Sequence, residues 1–339
     1  MCIRDRGMIS RGMIDPPSPD NVIDLSAMTQ YRKQNILKSI AVIKLNGGLG
    51  TSMGLSAAKS LLPVKGNMNF LDIITRQVLA LRSGTGYEVL LMFMNSYNTE
   101  ADTLNYLEKY PDLSRQKLPI SFLQNKFPRI LQDNLKPYEN EDPDKMWNPP
   151  GHGDSFAALS SSGLLDKMID AGYRYAFVSN SDNLGATVDT CIPAYMEAND
   201  IHFLMEVCAR TEADRKGGHL CQDKHGQLML REVAQCPPEE LDEFQNVELY
   251  SYFNTNNLWI DLKALQWNLI AGEGIILLPL IGGLAASQAQ GLQTGVDILD
   301  GYRTSMFAAA AICVFGAGLA AVGFTRSDGR VVATEAARG

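Results

Sequence analysis

The sequence lacks most of what would make a quick assignment possible. Its six cysteines (Cys2, Cys191, Cys208, Cys221, Cys236 and Cys313) include no C-x-x-C pair, which excludes a zinc ribbon, a thioredoxin-type motif and a dense disulfide framework and points to a reducing, cytoplasmic setting. Basic residues are in deficit, 30 Lys+Arg against 38 Asp+Glu for a net charge of −8, so a broad electrostatic grip on nucleic acid is not expected and anionic ligands must be held locally. No internal repeat is visible. The first 20 residues, MCIRDRGMISRGMIDPPSPD, lack the apolar core of a secretory signal. Residues 1–24 therefore read as a disordered leader.

Charge is also missing from one late segment. Residues 271–325 carry only Glu273, Asp297, Asp300 and Arg303, and 304–325 (TSMFAAAAICVFGAGLAAVGFT) carry none; such a run is about as long as a bilayer-spanning helix requires. The 33 acidic and 26 basic residues up to position 270 hold nearly all the charge. A helical apolar tail over 269–325 and a disordered 326–339 are expected, so the 339 residues divide into two chemically unlike segments.

The polar part alternates apolar runs with amphipathic ones. Residues 39–45 (SIAVIKL), 89–94 (VLLMFM), 120–124 (ISFLQ), 175–178 and 203–207 read as strands, 70–81 and 99–110 as helices, the latter with Thr99 as its cap, and 219–233 as a hairpin turning at His225-Gly226. A polar, proline-bearing stretch over 128–150 leads into a helix through 165–169. This order predicts an α/β fold with an open, mostly parallel sheet, whose ligands bind beyond the carboxyl ends of the strands. The polar clusters at 46–54, 151–154 and 180–183 are expected to converge there.

The strongest local signal is LNGGLGTSMG at 45–54, with Lys59-Ser60 just beyond. Closely spaced glycines after a strand let backbone N–H groups approach a phosphate chain, and a nearby lysine can neutralise it. The spacing fits neither G-x-G-x-x-G nor the P-loop pattern, and a purely structural glycine turn stands as the alternative.

KLNGGLGTSMG and AKSLL, followed in order by FLDI at 70–73, MNSYNTEADT at 94–103, PPGHGDSFAAL at 149–159, FVSNSDNLGATVD at 177–189, MEVCARTEADRKGG at 205–218 and YFNTNNLWIDL at 252–262, resemble the UTP–glucose-1-phosphate uridylyltransferases, also called UDP-glucose pyrophosphorylases. The resemblance covers about residues 25–268. It implies a GT-A-like nucleotidyltransferase core with a mixed, mostly parallel sheet flanked by helices, and the reaction of MgUTP with glucose 1-phosphate to UDP-glucose and pyrophosphate. It further implies that Leu45, Asn46, Gly47, Gly48, Lys59, Gln124, Gly151 and Asp182 bind UTP, with Gln124 reading the uracil edge. His152, Asn180, Ser181, Glu206, Gly218, Asn254 and Asn256 would hold the sugar phosphate, Lys59 and Asp182 would act in catalysis, and Asp182 would ligate Mg²⁺.

Bland roles compete at each position: an exposed lysine for Lys59, a surface glutamine for Gln124, a satisfied histidine for His152, a capping aspartate for Asp182, and turn chemistry for the asparagines of 254–257. The family's second phosphate-binding lysine and its C-terminal β-helix are not recognisable after residue 268, and residues 270–325 resemble a fragment of a major facilitator superfamily drug exporter. Impaired turnover is therefore expected, with a frameshifted or chimeric tail as one explanation. The competing functional reading is a non-catalytic UTP or UDP-sugar binding module, membrane-attached if the apolar tail spans. UTP, glucose 1-phosphate, UDP-glucose and pyrophosphate are the expected partners, nucleic acid is not, and the sequence leaves the oligomeric state open.

Overall fold

Runs of apolar residues too short to be helices set the core strands, and each ends where polar or glycine residues begin. A computed structural model describes residues 8–49, 57–131, 134, 136–215, 217–271 and 329–333. Its strands are β1 (Ile14–Asp15), β2 (Val22–Asp24), β3 (Ile40–Asn46), β4 (Pro63–Lys65), β5 (Met68–Asn69), β6 (Leu90–Asn95), β7 (Ser121–Leu123), β8 (Phe127–Pro128), β9 (Trp147–Asn148), β10 (Tyr175–Asn180), β11 (Phe203–Ala209), β12 (His219–Asp223), β13 (Leu228–Arg231), β14 (Tyr252–Asp261) and β15 (Gly329–Ala333). The α-helices are α1 (Phe70–Thr85), α2 (Glu100–Leu107), α3 (Asp154–Ser161), α4 (Leu164–Asp170), α5 (Cys191–Ala198), α6 (Leu241–Phe244) and α7 (Leu262–Ala271).

One mixed sheet runs in the order β2-β15-β11-β14-β10-β3-β6-β7. Strands β10, β3, β6 and β7 are parallel, and β14 lies antiparallel between β10 and β11. The fold is therefore α/β, as its alternation of strands and helices predicts, and the sheet is mixed, as the family resemblance implies. Because side chains alternate across a strand, Val42, Phe93 and Phe177 face one layer with α1 and α5, while Ala41, Ile43 and Val178 face the other with α3, α4 and α7. Asn69 opens α1 with a capping box, its Oδ1 accepting from Asp72 N at 2.9 Å while Asp72 Oδ2 accepts from Asn69 N at 3.0 Å. Gly86 closes the helix at φ 74°, a left-handed conformation in which glycine carries no Cβ penalty.

Several expectations are corrected. Residues 8–24 are not a disordered leader: Ile14 and Asp15 pair with Asp223 and Gln222, and Ile9 and Ile14 pack with Cys221 and Tyr250. The 326–339 segment is likewise not wholly irregular, since β15 lies parallel to both β11 and β2. Thr99 stands at the N-cap position of α2 as expected but makes no side-chain capping bond; its hydroxyl accepts from Ser96 N at 3.0 Å and donates to Asn46 O at 2.8 Å. The single helix expected through 165–169 is two, broken at Gly163 with φ 67°. The hairpin stands as expected, with Gly226 at φ 81°. Among the described residues, no helix is long and apolar enough to cross a membrane. The uncharged run at 304–325 lies outside them, as do Gly50 and Gly54 of the glycine-rich loop.

Candidate active site

The register of the central strands brings their C-terminal ends side by side. Asn180 pairs with Leu45, Asn46 with Asn95, and Asn95 with Leu123, so the segments that follow β3, β6, β7 and β10 leave from one edge, where open α/β sheets bind ligands.

At this edge Gly47 lies against Gln124. A Cβ on Gly47 would overlap Gln124 Nε2 and stand 3.0 Å from its Cδ, so only glycine lets the backbone pass the amide this closely. Gln124 is 7 % exposed and its backbone N donates to Asn95 O at 2.9 Å. Asn125 ties this corner to the Gly151-His152 segment: its N and Nδ2 donate to Asp154 Oδ2 and Oδ1 at 2.6 and 2.8 Å. Burial raises the Asp154 pKa, and these two hydrogen bonds oppose the rise.

The chain that leaves β3 at Gly48 returns at Lys59, whose backbone N donates to Gly48 O at 3.0 Å. The Lys59 side chain crosses to the end of β10 and pairs with Asp182 Oδ2 at 2.6 Å, both groups remaining partly exposed. The lysine and the carboxylate that the sequence nominates for phosphate and metal are therefore adjacent.

A second polar chain spans the opening. Asn256 Nδ2 lies 2.8 Å from His152 Nδ1 and donates to Asn180 Oδ1 at 2.8 Å. Asn256 reaches this place because β14 shifts register between Glu206↔Asn257 and Val207↔Asn254, looping out Thr255 and Asn256. Its backbone is left-handed, φ 57°, a region asparagine tolerates better than most residues. Asn254 Oδ1 accepts from Asn256 N at 2.8 Å, and Thr255 Oγ1 donates to Glu206 O at 2.6 Å, pinning the bulge. Desolvation lowers the His152 pKa and the Asp182 carboxylate partly counters it, so the ring is neutral near pH 7. With the amide donating to Nδ1, the ring proton is placed on Nε2.

Other nominated residues have different surroundings. Asn46 turns its side chain into the core, donating to Asn95 Oδ1 at 2.7 Å and Thr103 Oγ1 at 2.9 Å, which leaves it no side-chain role in the opening. Leu45 packs its side chain in the core and offers its carbonyl to Ser181 N at 3.0 Å. Glu206 is 7 % exposed, and its oxygens already accept from Asn257 Nδ2 at 3.0 Å and Trp259 Nε1 at 2.6 Å. That geometry makes it a buried anchor rather than an open sugar ligand. Gly218 faces Glu232, whose Cδ would stand 2.6 Å from a Cβ there, and its carbonyl accepts from Asn254 N at 3.3 Å.

Sequence reasoning missed Asp154, Asn125, Asn257 and Lys44. Lys44 had a visible signal, being the one charged residue inside the apolar run SIAVIKL. For a divalent cation, Asp182 is a suitable oxygen donor at the strand end, and Mg²⁺ commonly takes one or two protein carboxylates with the remaining places filled by phosphate and water. Among the described residues no group of three or more His, Cys, Asp or Glu could hold a metal alone. The donor set thus fits a cation that arrives with a phosphate chain.

A family model described as UTP–glucose-1-phosphate uridylyltransferase matches residues 3–281. That match extends past both ends of the 25–268 resemblance and takes in residues 270–281, so the first part of the segment expected to be exporter-like matches the uridylyltransferase model, and no comparison supports the exporter reading. The UTP–glucose-1-phosphate uridylyltransferase 2 of Dictyostelium discoideum is 43 % identical over 277 residues, 79 % of this chain and 55 % of that protein. The Saccharomyces cerevisiae enzyme is 45 % identical over 258 residues, 75 % and 51 % of the two chains. A solved UDP-glucose pyrophosphorylase from Leishmania major (V402W mutant) superimposes with a TM-score of 0.71 at 44 % identity, covering 80 % of this chain and 59 % of the other. An S374W mutant of the Leishmania major protein, solved in complex with UDP-glucose, gives 0.72 at 44 % identity, covering 79 % and 58 %. The chain spans about half the length of the curated relatives it matches.

Proposed function

Because this chain belongs to the UTP–glucose-1-phosphate uridylyltransferase family, we propose that its strand-end site binds UTP and glucose 1-phosphate and transfers the uridylyl group between them. The observation that carries the reading is the meeting, at one sheet edge, of Gln124 against Gly47, Lys59 against Asp182, and His152 with Asn256 and Asn180.

In this reading the Gln124 amide, donor and acceptor in one group, meets the uracil edge beside the Gly47 backbone. A phosphate oxygen of glucose 1-phosphate attacks the α-phosphorus of UTP, the new P–O bond forms, and the bond to the bridging oxygen breaks with its electron pair leaving on pyrophosphate. Both reactants are anions, so alignment and neutralisation are the protein's main tasks. Lys59 supplies a cation at the returning end of the glycine-rich segment. His152, neutral and oriented by Asn256, donates from Nε2 to a phosphate or sugar oxygen. Asn180 and Ser181 border the same space, and Asn254, whose N donates to Gly218 O, buttresses the bulge that presents Asn256. Asp182 would hold a Mg²⁺ ion, which when bound offsets phosphate charge. No side-chain nucleophile is required.

Cys191, Cys208, Cys221 and Cys236 are free thiols, which suits the cytoplasmic setting we assign. The exporter likeness of the tail rests on its residue pattern alone. The test is pyrophosphate release from UTP and glucose 1-phosphate with Mg²⁺, alongside calorimetric titration of UTP. Release with saturation in both substrates supports the transferase, and binding without release supports the non-catalytic module. Absence of UTP binding overturns both readings.

A further inference from the structure

Beneath the candidate site, a polar row crosses the sheet where an apolar layer would be expected. Lys44 on β3 is 2 % exposed, and its Nζ donates to Ser179 Oγ at 2.7 Å and Ala186 O at 3.0 Å, with the Phe177 ring centroid 5.7 Å away. Three strands further along, on β11, Glu206 is held by Asn257 and Trp259 of β14, and Asn257 Oδ1 accepts from Asn183 Nδ2 at 3.3 Å. The connection from β10 to α5 carries Asp182; its first residues are held by Leu45 O and Lys59, Gln77 Nε2 of α1 donates to Leu184 O at 3.2 Å, and from the sheet it is tied at Asn183 from the Glu206 side and at Ala186 from Lys44.

The energetics make a passive role for Lys44 hard to sustain. No carboxylate lies within ion-pairing distance of it among the described residues, and burial pulls its pKa down to about 8, with distant Glu206 opposing. A buried cation served only by a hydroxyl and a carbonyl is expensive to keep. A methionine of similar length would fill the same space without that cost. What methionine could not do is donate to Ala186 O.

We infer that Lys44 is a positioning residue, which straps the β10–α5 connection to the central sheet through Ala186 and so fixes Asp182 at the mouth of the site. The role given to Asp182 rests on the proposed function, but the strap itself does not. Ser179 steers Lys44 Nζ toward the carbonyl, and Asn183 with Asn257 forms a separate tie to the sheet. The device acts on the segment's order, so the two can be measured apart.

The experiment is hydrogen–deuterium exchange with mass spectrometry on the full chain, wild type against Lys44→Met, Ser179→Ala and Ser179→Thr, without nucleotide. Peptides spanning 181–190 are compared with those of α1. For Lys44→Met, exchange across 181–190 should rise about tenfold or more while α1 keeps its wild-type rates. Ser179→Ala should give a smaller rise, and Ser179→Thr, which keeps the hydroxyl, should restore wild-type protection. Unchanged exchange over 181–190 in Lys44→Met overturns the inference, as does an equal rise in α1, which would mean general loosening. Should Lys44→Met fail to fold, the Ser179 pair decides: equal exchange in Ser179→Ala and wild type overturns it. A wild type that binds no UTP sinks the functional reading and leaves this result standing.

Discussion

Replacing His219 with phenylalanine should remove about 2 kcal/mol of the stability this fold loses between pH 7 and pH 5. His219 starts β12, is fully buried, stacks on Tyr250 with ring centroids 3.9 Å apart, and tilts over Phe244 at 4.8 Å. Its Nε2 has no hydrogen-bond partner among the described residues. Burial pushes the imidazole pKa from an ordinary 6.5 down to about 3, and the Arg210 and Arg231 guanidiniums push the same way. A group whose folded pKa is depressed contributes stability that is present above its unfolded pKa and is lost as pH falls. Here the loss begins below pH 6.5 and continues toward pH 3. At 1.36 kcal/mol per pH unit, the roughly 1.5 units from 6.5 to 5 are worth about 2 kcal/mol. The assay is urea unfolding of wild type and His219→Phe at pH 7 and pH 5, followed by intrinsic fluorescence. Wild type should lose about 2 kcal/mol more than the variant between the two pH values. Equal losses in both proteins would refute the reasoning, because protonation of other groups would then carry the whole effect.

Gly47→Ala should drive the Gln124 amide from its place and weaken UTP binding by about 10- to 100-fold, roughly the loss of one well-made hydrogen-bonded contact or two; calorimetric titration checks it, and wild-type affinity would count against Gln124 as the base reader. Trp259→Phe removes one of the two donors to buried Glu206 and should cost about 1–3 kcal/mol in chemical unfolding; a neutral result would mean Glu206 is content without the indole. Asn69→Ala deletes the α1 capping box and should cost about 1 kcal/mol, a few degrees in the melting temperature. Asn256→Ala frees the His152 ring, and its effect should fall on saturation by glucose 1-phosphate more than on UTP affinity, which initial-rate kinetics in the two substrates separate.

The parallel half of the sheet was legible because β3, β6 and β10 are apolar runs, interrupted only by Lys44 in β3, that stop abruptly at polar residues, a pattern fixed by burial on both faces. Convergence of the segments at 46–48, 151–154 and 180–183 followed from the rule that open sheets bind at strand ends, while Gln124 and Lys59 were nominated by the family resemblance. What could not be read was which way polar side chains at those ends point. Asn46 and Gly47 are neighbours, yet one side chain closes the core through Asn95 and Thr103 while the other position borders the opening. Glu206 sits in a family motif and reads as a ligand, but the Trp259 and Asn257 that claim it lie about fifty residues on. Partners so distant in sequence leave no local trace. Thr99 misled for the same reason, since its acceptor is the Asn46 carbonyl across the sheet edge. Residues 8–24 misled because charge and proline density say nothing about a strand partner arriving from Gln222 and Asp223.

The two residues looped out of β14 have a consequence for how such a protein can change over time. Beyond the bulge, Trp259 and Ile260 are committed to the two core layers. Before and within it, 254–256 face the opening and belong to neither layer. One strand thus carries both a part committed to the core and a part held only by polar contacts around its own bulge. A lineage could change the polar lining of the opening at Asn256 while leaving the hydrophobic core untouched.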